Sequence, residues 1–499
     1  MDFTPQLSIN LMDLDLVGRS TPDPLRFAFS HKRGAHAGGN MAMVPPVQIQ
    51  QQINAALQHA HLTERNRCLY IHIPFCRVRC TYCNFFQYAS SKTLIEQYFA
   101  ILLEEIKWKA AQPWTQAAPF QAVYVGGGTP TDLSAIQLKQ LGNAIHDYFP
   151  LTPDCEMTLE GRINRFNDHK FESALEGGFN RFSFGVQSFN TQVRRSAKRL
   201  DDGEDVFNRL QHFISYKSAP IVLDLLYGLP YQNLDNWQQD LENYLALGAD
   251  GVDLYQLIEM QGLPMADAVA KGKLPHPADT PTKATMYKMG VEFMNKHHQR
   301  RLSVNHWASS NRERSIYNSL AKTTAEVLPI GAGAGGNIMG LNMMQSREME
   351  SYIKSIKEKQ HPVMGAMKSR DNDPIIKYIK SAFDHGVMSG VMLNNVTNQT
   401  LSQLIENTQP LNVPNCALYR SLQPLFDKWQ QNGLAINQDN YLSLTLAGQF
   451  WSTTLAQSLI SVLQQNWDSL LSQLQENVIS NQSSKDKQSN THKAQLILA

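Results

Sequence analysis

The chain has 499 residues, of which 42% are apolar and 18% charged, and its net charge is +1. That length allows a large domain with one or two smaller ones. The even charge balance excludes electrostatic capture of nucleic acid or of a membrane surface as its organising principle. Six cysteines are too few for a disulfide framework in so long a chain, and three of them, Cys76, Cys80 and Cys83, crowd into one short loop. Such crowding points to a metal or cluster in a reducing compartment. The N-terminus is acidic and lacks a basic segment leading into an apolar run. No apolar stretch reaches spanning length, so no membrane is expected and the cytoplasm is the expected location.

Residues 1–60 read as an N-terminal extension, irregular or partly helical, rich in Pro, Gly and His through "STPDPLRFAFSHKRGAHAGGNMAMVPP". A core domain is predicted over 61–300. Short apolar or β-branched runs at Leu69–Ile73, Ala122–Gly126, Glu156–Glu160, Arg181–Val186, Ile221–Leu226 and Val252–Leu257 alternate there with longer helical segments. This α/β alternation implies a parallel sheet with covering helices, and six such units suggest a partial (β/α)6 barrel, open on one side. Residues 301–370 form a connecting segment with a Gly-rich run at Pro329–Gly340. Residues 371–465 carry a helix, a tight hairpin and a second helix, the pattern of a winged-helix-like domain. Residues 466–499 are polar and low in large apolar side chains, so a disordered tail is predicted.

The loop "CRVRCTYC" spaces its thiols as C-x3-C-x2-C. Three thiolates can ligate three irons of a [4Fe–4S] cluster and leave the fourth iron open. Zinc, the main rival, would want four N/S donors, usually as two spaced pairs, and no second pair exists. Cys68 is near in sequence but falls one residue before the first strand, at the end away from the loop, and is a poor fourth ligand; Cys155 and Cys416 are isolated and read as core residues. Tyr82, between the second and third thiols, is either a packing aromatic or a wall for a flat ligand.

In a barrel of this kind the site is built from the C-terminal strand ends. Gly126, Gly127 and Gly128 after the second strand would let backbone approach a ligand, although a tight turn needs glycine equally. Glu160 ends the third strand and could accept bonds from an ammonium group; a solvated cap is the plainer alternative. Gln187 ends the fourth. Asp224 is a carboxylate in an otherwise apolar fifth strand and needs partners such as a ribose diol. Arg199 follows the fourth strand and could pair with a carboxylate. Five such features at or just beyond successive strand ends favour one shared pocket.

The cysteine spacing, with an aromatic before the last thiol, resembles the radical S-adenosylmethionine (SAM) superfamily. In that superfamily SAM chelates the open iron of a [4Fe–4S] cluster and is cleaved to a 5′-deoxyadenosyl radical. "LYIHIPFC", "VYVGGGTPT", "RFSFGVQSF" and "LDLLYGLP" are similar to its coproporphyrinogen-dehydrogenase-like (HemN/HemW-like) branch over about Leu69 to Leu257. The resemblance implies that Cys76, Cys80 and Cys83 hold the cluster. It implies that Tyr70, Gly128, Glu160, Gln187, Arg199 and Asp224 hold SAM, with Tyr82, Gly127, Thr129 and Ile258 lining the neighbouring space. A second SAM occupies that space in the dehydrogenase, so two SAM molecules are allowed here.

Two departures separate this chain from parts of that branch. Phe85 stands where the dehydrogenase has a fourth loop cysteine, which speaks against coproporphyrinogen decarboxylation. The stretch "SSNRERSIYNSLAK" lacks the His-Asn-x-x-Tyr-Trp motif of the heme chaperones. "LEGRIN", "RSIYNSL", "PIGAGAGG" and the N-terminal "DPLRFAFSHKRGAHAGG" resemble instead the anaerobic heme-degrading methyltransferases, HutW/ChuW. The implied reaction is oxygen-independent opening of heme with methyl transfer from SAM, giving a linear tetrapyrrole and free iron. The implied electron donor is a flavodoxin or flavin reductase. His31, Arg33, His36 and His306 are candidate heme contacts, against the plainer reading of solvent-exposed loop residues.

Overall fold

The computed structural model describes residues 3–32, 34, 37–39, 41–60, 66–85, 87–323, 325–406 and 415–497, with the side chains of 405–406 and of 478 onward excepted. These divide into two compact units, Met41–Ser369 on the one hand and Met1–Asn40 with Arg370–Ala499 on the other.

In the unit Met41–Ser369, six strands run parallel in sequence order: β1 (Arg67–Ile73), β2 (Phe120–Gly127), β3 (Leu151–Gly161), β4 (Arg181–Gln187), β5 (Ile221–Tyr227) and β6 (Gly251–Gln256). This is the partial barrel expected, and the period of two explains how it is filled. Leu69 and Ile71 of β1, Val123 and Val125 of β2, and Leu223 and Leu225 of β5 are fully buried. Helices such as Leu234–Leu247 and Thr280–Lys296 pack on these strands. The opposite parity carries Tyr70, Tyr124, Glu160, Arg181, Asp224 and Asp253, so one side of the sheet is apolar and the other is polar and aromatic.

The sheet continues past both edges of the six. Beside β1 lies a parallel seventh strand, β7 (Glu326–Ile330), followed by antiparallel strands that end at Met41–Met43. Beside β6 lies His306–Ala308, antiparallel. The segment 301–370 is therefore part of the sheet at both edges rather than a connector. Pro329 hid β7, because proline argues against an interior strand. It is accommodated because β7 pairs with its outer neighbour only through Val327 and Asn337. Residues 41–60, expected in the extension, belong to this unit through Met41–Met43 and the helix Pro46–Leu57.

The second unit holds the three-stranded antiparallel sheet of Val387–Ser389, Tyr441–Leu444 and Ala435–Gln438, with helices Asp373–His385, Gly390–Glu406 and Gln423–Gln431 around it. This is the winged-helix-like arrangement. Asp439 and Asn440 both take positive φ at the hairpin tip, as a two-residue turn of the right twist requires. The N-terminal residues are part of this unit: the Trp429 indole donates to Leu16 O, and the Asn432 amide to Val17 O. Of the region predicted to be disordered, residues 466–497 lie in a helix, Ser452–Ile497. Leu455, Leu459, Leu463, Leu470 and Leu474 are buried along its first half, and extending a nucleated helix is easier than starting one. Among the described residues no helix is long and apolar enough to cross a membrane.

Candidate active site

The cysteine loop leaves the C-terminal end of β1. Cys76 and Cys80 are buried and Cys83 is half-buried. The Cys83 N–H donates to Cys80 O at 3.2 Å, closing the turn, and the Phe85 N–H lies 3.3 Å from Cys83 Sγ. Thr129 Oγ1 stands 3.3 Å from Cys76 Sγ. Arg162 Nη2 is 3.2 Å from Cys80 Sγ and 3.9 Å from Cys76 Sγ. Thr81 clamps the loop from the other side, its hydroxyl donating to Ser196 O at 2.9 Å. Burial raises the Cys76 thiol. Burial also opposes the Cys80 thiolate, but Arg199 and Arg162 together hold its pKa below the ordinary cysteine value. By contrast, burial pushes Cys68, Cys155 and Cys416 up to about 12, as suits inert core thiols.

The remaining strand ends converge beside this loop. The Gly128 N–H donates to Ile73 O at 2.8 Å, and a Cβ at Gly128 would fall 2.5 Å from Phe75 O. Gly127 takes φ +113, with the His72 ring where a side chain would point. Glu160 accepts the Gly127 N–H and the Tyr124 hydroxyl; burial still lifts it to about 7. Gln187 sits at a bulge with φ 72, a left-handed conformation costly for a side chain of its size. Arg199 is buried, donating to Gly185 O at 3.0 Å and to the Tyr82 hydroxyl at 3.2 Å. Among the described residues the one hydrogen-bond partner of Asp224 is Ser183 Oγ, at 3.5 Å. Burial first, then Asp253 and Glu160, raise it to about 8. Tyr70 places its hydroxyl 2.9 Å from His72 Nδ1 and stacks on Tyr124 and Tyr317. Tyr82 and Ile258 line a cavity of about 250 Å³ with Leu257, Met260, Met265 and His276. Half-buried carboxyls with so few partners are what a ligand bearing an ammonium group and hydroxyls would satisfy.

Deeper among the strands lies an ion network that the sequence did not reveal. Arg181 makes a two-pronged pair with Glu313, both contacts 2.9 Å. His306 Nε2 is 3.1 Å from Glu313 and its Nδ1 is 2.7 Å from Asp253. Glu156 accepts the N–H groups of Ile316 and Tyr317, fixing the short helix Ile316–Ala321. This corrects the reading of His306 as a heme contact: it is buried, and both ring nitrogens face carboxylates of the protein. His31 lies in the other unit, exposed, with Nδ1 2.9 Å from Ser30 Oγ; Arg33 and His36 fall outside the described residues. The signal for the network was Asp253, a carboxylate inside the apolar run "VDLYQL". Arg162 stood in "LEGRIN", two residues beyond Glu160 and at the same end of the barrel.

The donor set suits a cluster. Cys76, Cys80 and Cys83 share one loop, and a cubane takes one thiolate per iron. A family model, the radical SAM superfamily, matches residues 70–243. The chain belongs to the radical SAM superfamily and, within it, to the family of the anaerobilin synthases. It is 35% identical to anaerobilin synthase of Escherichia coli O157:H7 over 402 residues, covering 80% of this chain and 85% of that protein. It is 30% identical to the heme chaperone HemW of Bacillus subtilis (strain 168), covering 59% of this chain and 76% of that one. Its fold is that of the solved radical SAM enzyme coproporphyrinogen III oxidase (HemN) from Escherichia coli, with TM-score 0.69, 19% identity, and 91% and 99% of the two chains covered. The protein is thus an enzyme whose cofactors are a [4Fe–4S] cluster and SAM.

Proposed function

We propose that this enzyme opens heme without oxygen and transfers a methyl group from SAM, giving a linear tetrapyrrole and releasing iron. The observation that carries the reading is the 35% identity to an anaerobilin synthase across both units, joined to a three-thiol loop with Phe85 in place of a fourth cysteine. When bound, the cluster and SAM supply, by one-electron cleavage of SAM, the reactive carbon-centred species that ring opening without oxygen needs.

The chain's own residues have separable tasks. Cys76, Cys80 and Cys83 hold three irons. Glu160 receives the SAM ammonium, Arg199 its carboxylate and Asp224 the ribose hydroxyls, with Gln187 and Tyr70 beside them. Gly127 and Gly128 let the second strand's end pack against His72 and the start of the cysteine loop, beside the SAM site. Tyr82, Thr129 and Ile258 border the adjacent space, where a second SAM or a tetrapyrrole edge has room. The mostly apolar cavity beside Tyr82 supports an apolar substrate edge there. His31 stays a candidate heme contact. A flavodoxin or flavin reductase supplies electrons, and the enzyme works in the cytoplasm.

The HemW relative raises a second reading, heme delivery without turnover. Where the chaperones carry their heme motif, this chain has Glu313 in a buried ion pair with Arg181 and Tyr317, half-buried on the helix Ile316–Ala321, stacked on Tyr124. The test is anaerobic reconstitution of the cluster, followed by heme, SAM and a reductant. Loss of the Soret band that requires SAM is expected. Tight heme binding with an unchanged Soret band would overturn the reading in favour of delivery.

A further inference from the structure

We propose that Arg162 is a positioning residue whose guanidinium offsets the charge of the cluster thiolates and sets the reduction potential of the cluster. The proposal rests on the reading that Cys76, Cys80 and Cys83 hold that cluster. Arg162 leaves β3 directly after Gly161. Its backbone is pinned to Thr131 by two bonds: its N–H donates to Oγ1 at 3.1 Å, and the Thr131 hydroxyl donates to its carbonyl at 3.0 Å. A Cβ at Gly161 would fall 2.3 Å from the Thr131 side chain, so the strand end packs directly against this anchor. The fixed backbone aims Nη2 at Cys80 Sγ, 3.2 Å away, with Cys76 Sγ at 3.9 Å and Val78 O at 3.3 Å.

Arg199 also lies close enough to act on the Cys80 thiolate, but it and the other guanidiniums around the loop have further partners of their own. Arg199 donates to the Tyr82 hydroxyl and Gly185 O, Arg79 to Cys83 O, and Arg77 to Asn164 Oδ1. Among the described residues no carboxylate forms an ion pair with Arg162, and its side-chain hydrogen bonds end on two sulfurs and one carbonyl. A half-buried cation directed at thiolates, with no acid to neutralise it, acts on whatever charge those sulfurs carry. One electron entering the cluster from the reductant adds a negative charge and makes or breaks no bond here. A fixed cation and an N–H···S contact stabilise that more negative state over the oxidised one. Arg162 therefore raises the potential and makes the cluster easier to reduce.

The test is an EPR-monitored redox titration of the reconstituted full-length protein without SAM, for wild type, Arg162→Gln and Arg162→Lys, with iron and sulfide assayed in each. Arg162→Gln should keep its iron and show a potential more negative by at least a tenfold change in the reduction equilibrium, about 59 mV for one electron. Arg162→Lys, which keeps the charge, should recover most of the shift. An unchanged potential in Arg162→Gln at full iron content would overturn the proposal. So would equal shifts in both variants, or cluster loss in both, since either makes the side chain a structural anchor alone. Cys80→Ala, assayed alongside, tests the underlying reading separately: iron content equal to wild type there would mean that the cluster sits elsewhere.

Discussion

Asp224 and Asp253 face each other in register on β5 and β6, and His306 closes the far side of Asp253 with Nδ1 2.7 Å from Oδ2. A carboxylate so placed opposes the ionisation of Asp224. Asp253 has the imidazole, so its charge is compensated. Among the described residues Asp224 has a single distant hydroxyl, that of Ser183, and it is raised to about 8 by burial, Asp253 and Glu160, with Arg181 and His306 opposing. The network thus holds Asp224 ready for a ligand that donates hydrogen bonds.

A pH dependence of SAM binding follows. Asp224 and Glu160, raised to about 8 and about 7, both bind better when ionised. SAM affinity measured by calorimetry should therefore rise with pH through that range. In Asp253→Asn a repelling charge is gone, Asp224 ionises at lower pH, and the rise should come earlier. Asp224→Ala should weaken SAM binding by about tenfold or more, the loss of roughly one to two hydrogen bonds to a charged group, while leaving the iron content unchanged. An identical pH profile in wild type and Asp253→Asn would count against the coupling.

The Arg181–Glu313 pair predicts a large stability effect. Removing one partner of a buried, hydrogen-bonded ion pair costs about 3–5 kcal/mol, so Glu313→Gln should lower the free energy of unfolding in urea by that amount. Its pH dependence has two parts. Arg181 and His306 overcome burial to hold Glu313 down to about 2 from the ordinary 4.5. That stabilisation is present above pH 4.5 and lost as the pH falls towards 2. Asp253 and Glu313 overcome burial to push His306 up to about 9 from the ordinary 6.5. That contribution is full below pH 6.5 and lost as the pH rises to 9. His306→Gln should flatten the fall between those two values. Asp224 and Glu160 add a loss in the same direction that starts at lower pH and persists in the variant.

Gly128→Ala should fail for a steric reason. The new methyl would meet Phe75 O, a backbone atom beside Cys76 that cannot rotate away. Relieving it costs roughly 1–3 kcal/mol and moves the start of the cysteine loop. Reduced iron incorporation and weaker SAM binding are both expected. Wild-type values for both would show that the loop has more slack than its contacts imply.

The strands and the thiol loop were legible in the sequence because each has a local signature. Five of the six barrel strands begin and end within two residues of the apolar runs that predicted them. The exception is β3, which starts at Leu151 because "LTPDC" has no β pattern of its own and is held by pairing with Phe120. Glu160, Gln187 and Asp224 were visible as polar residues in or at the end of apolar strands. What was not legible depends on distant partners. His306 read as a candidate heme contact or an exposed loop residue because Asp253 and Glu313 come to it only when the chain pairs His306–Ala308 with β6. Arg162 carried no signal for its partner until the turn at Thr131 fixed its backbone.

The measurement that tests the central claim most directly is mass spectrometry of the anaerobic reaction with heme and SAM labelled in its methyl group. A linear tetrapyrrole free of iron and carrying one labelled methyl is the predicted product. Intact heme at the end of the reaction, or an opened tetrapyrrole without the label, would contradict the account.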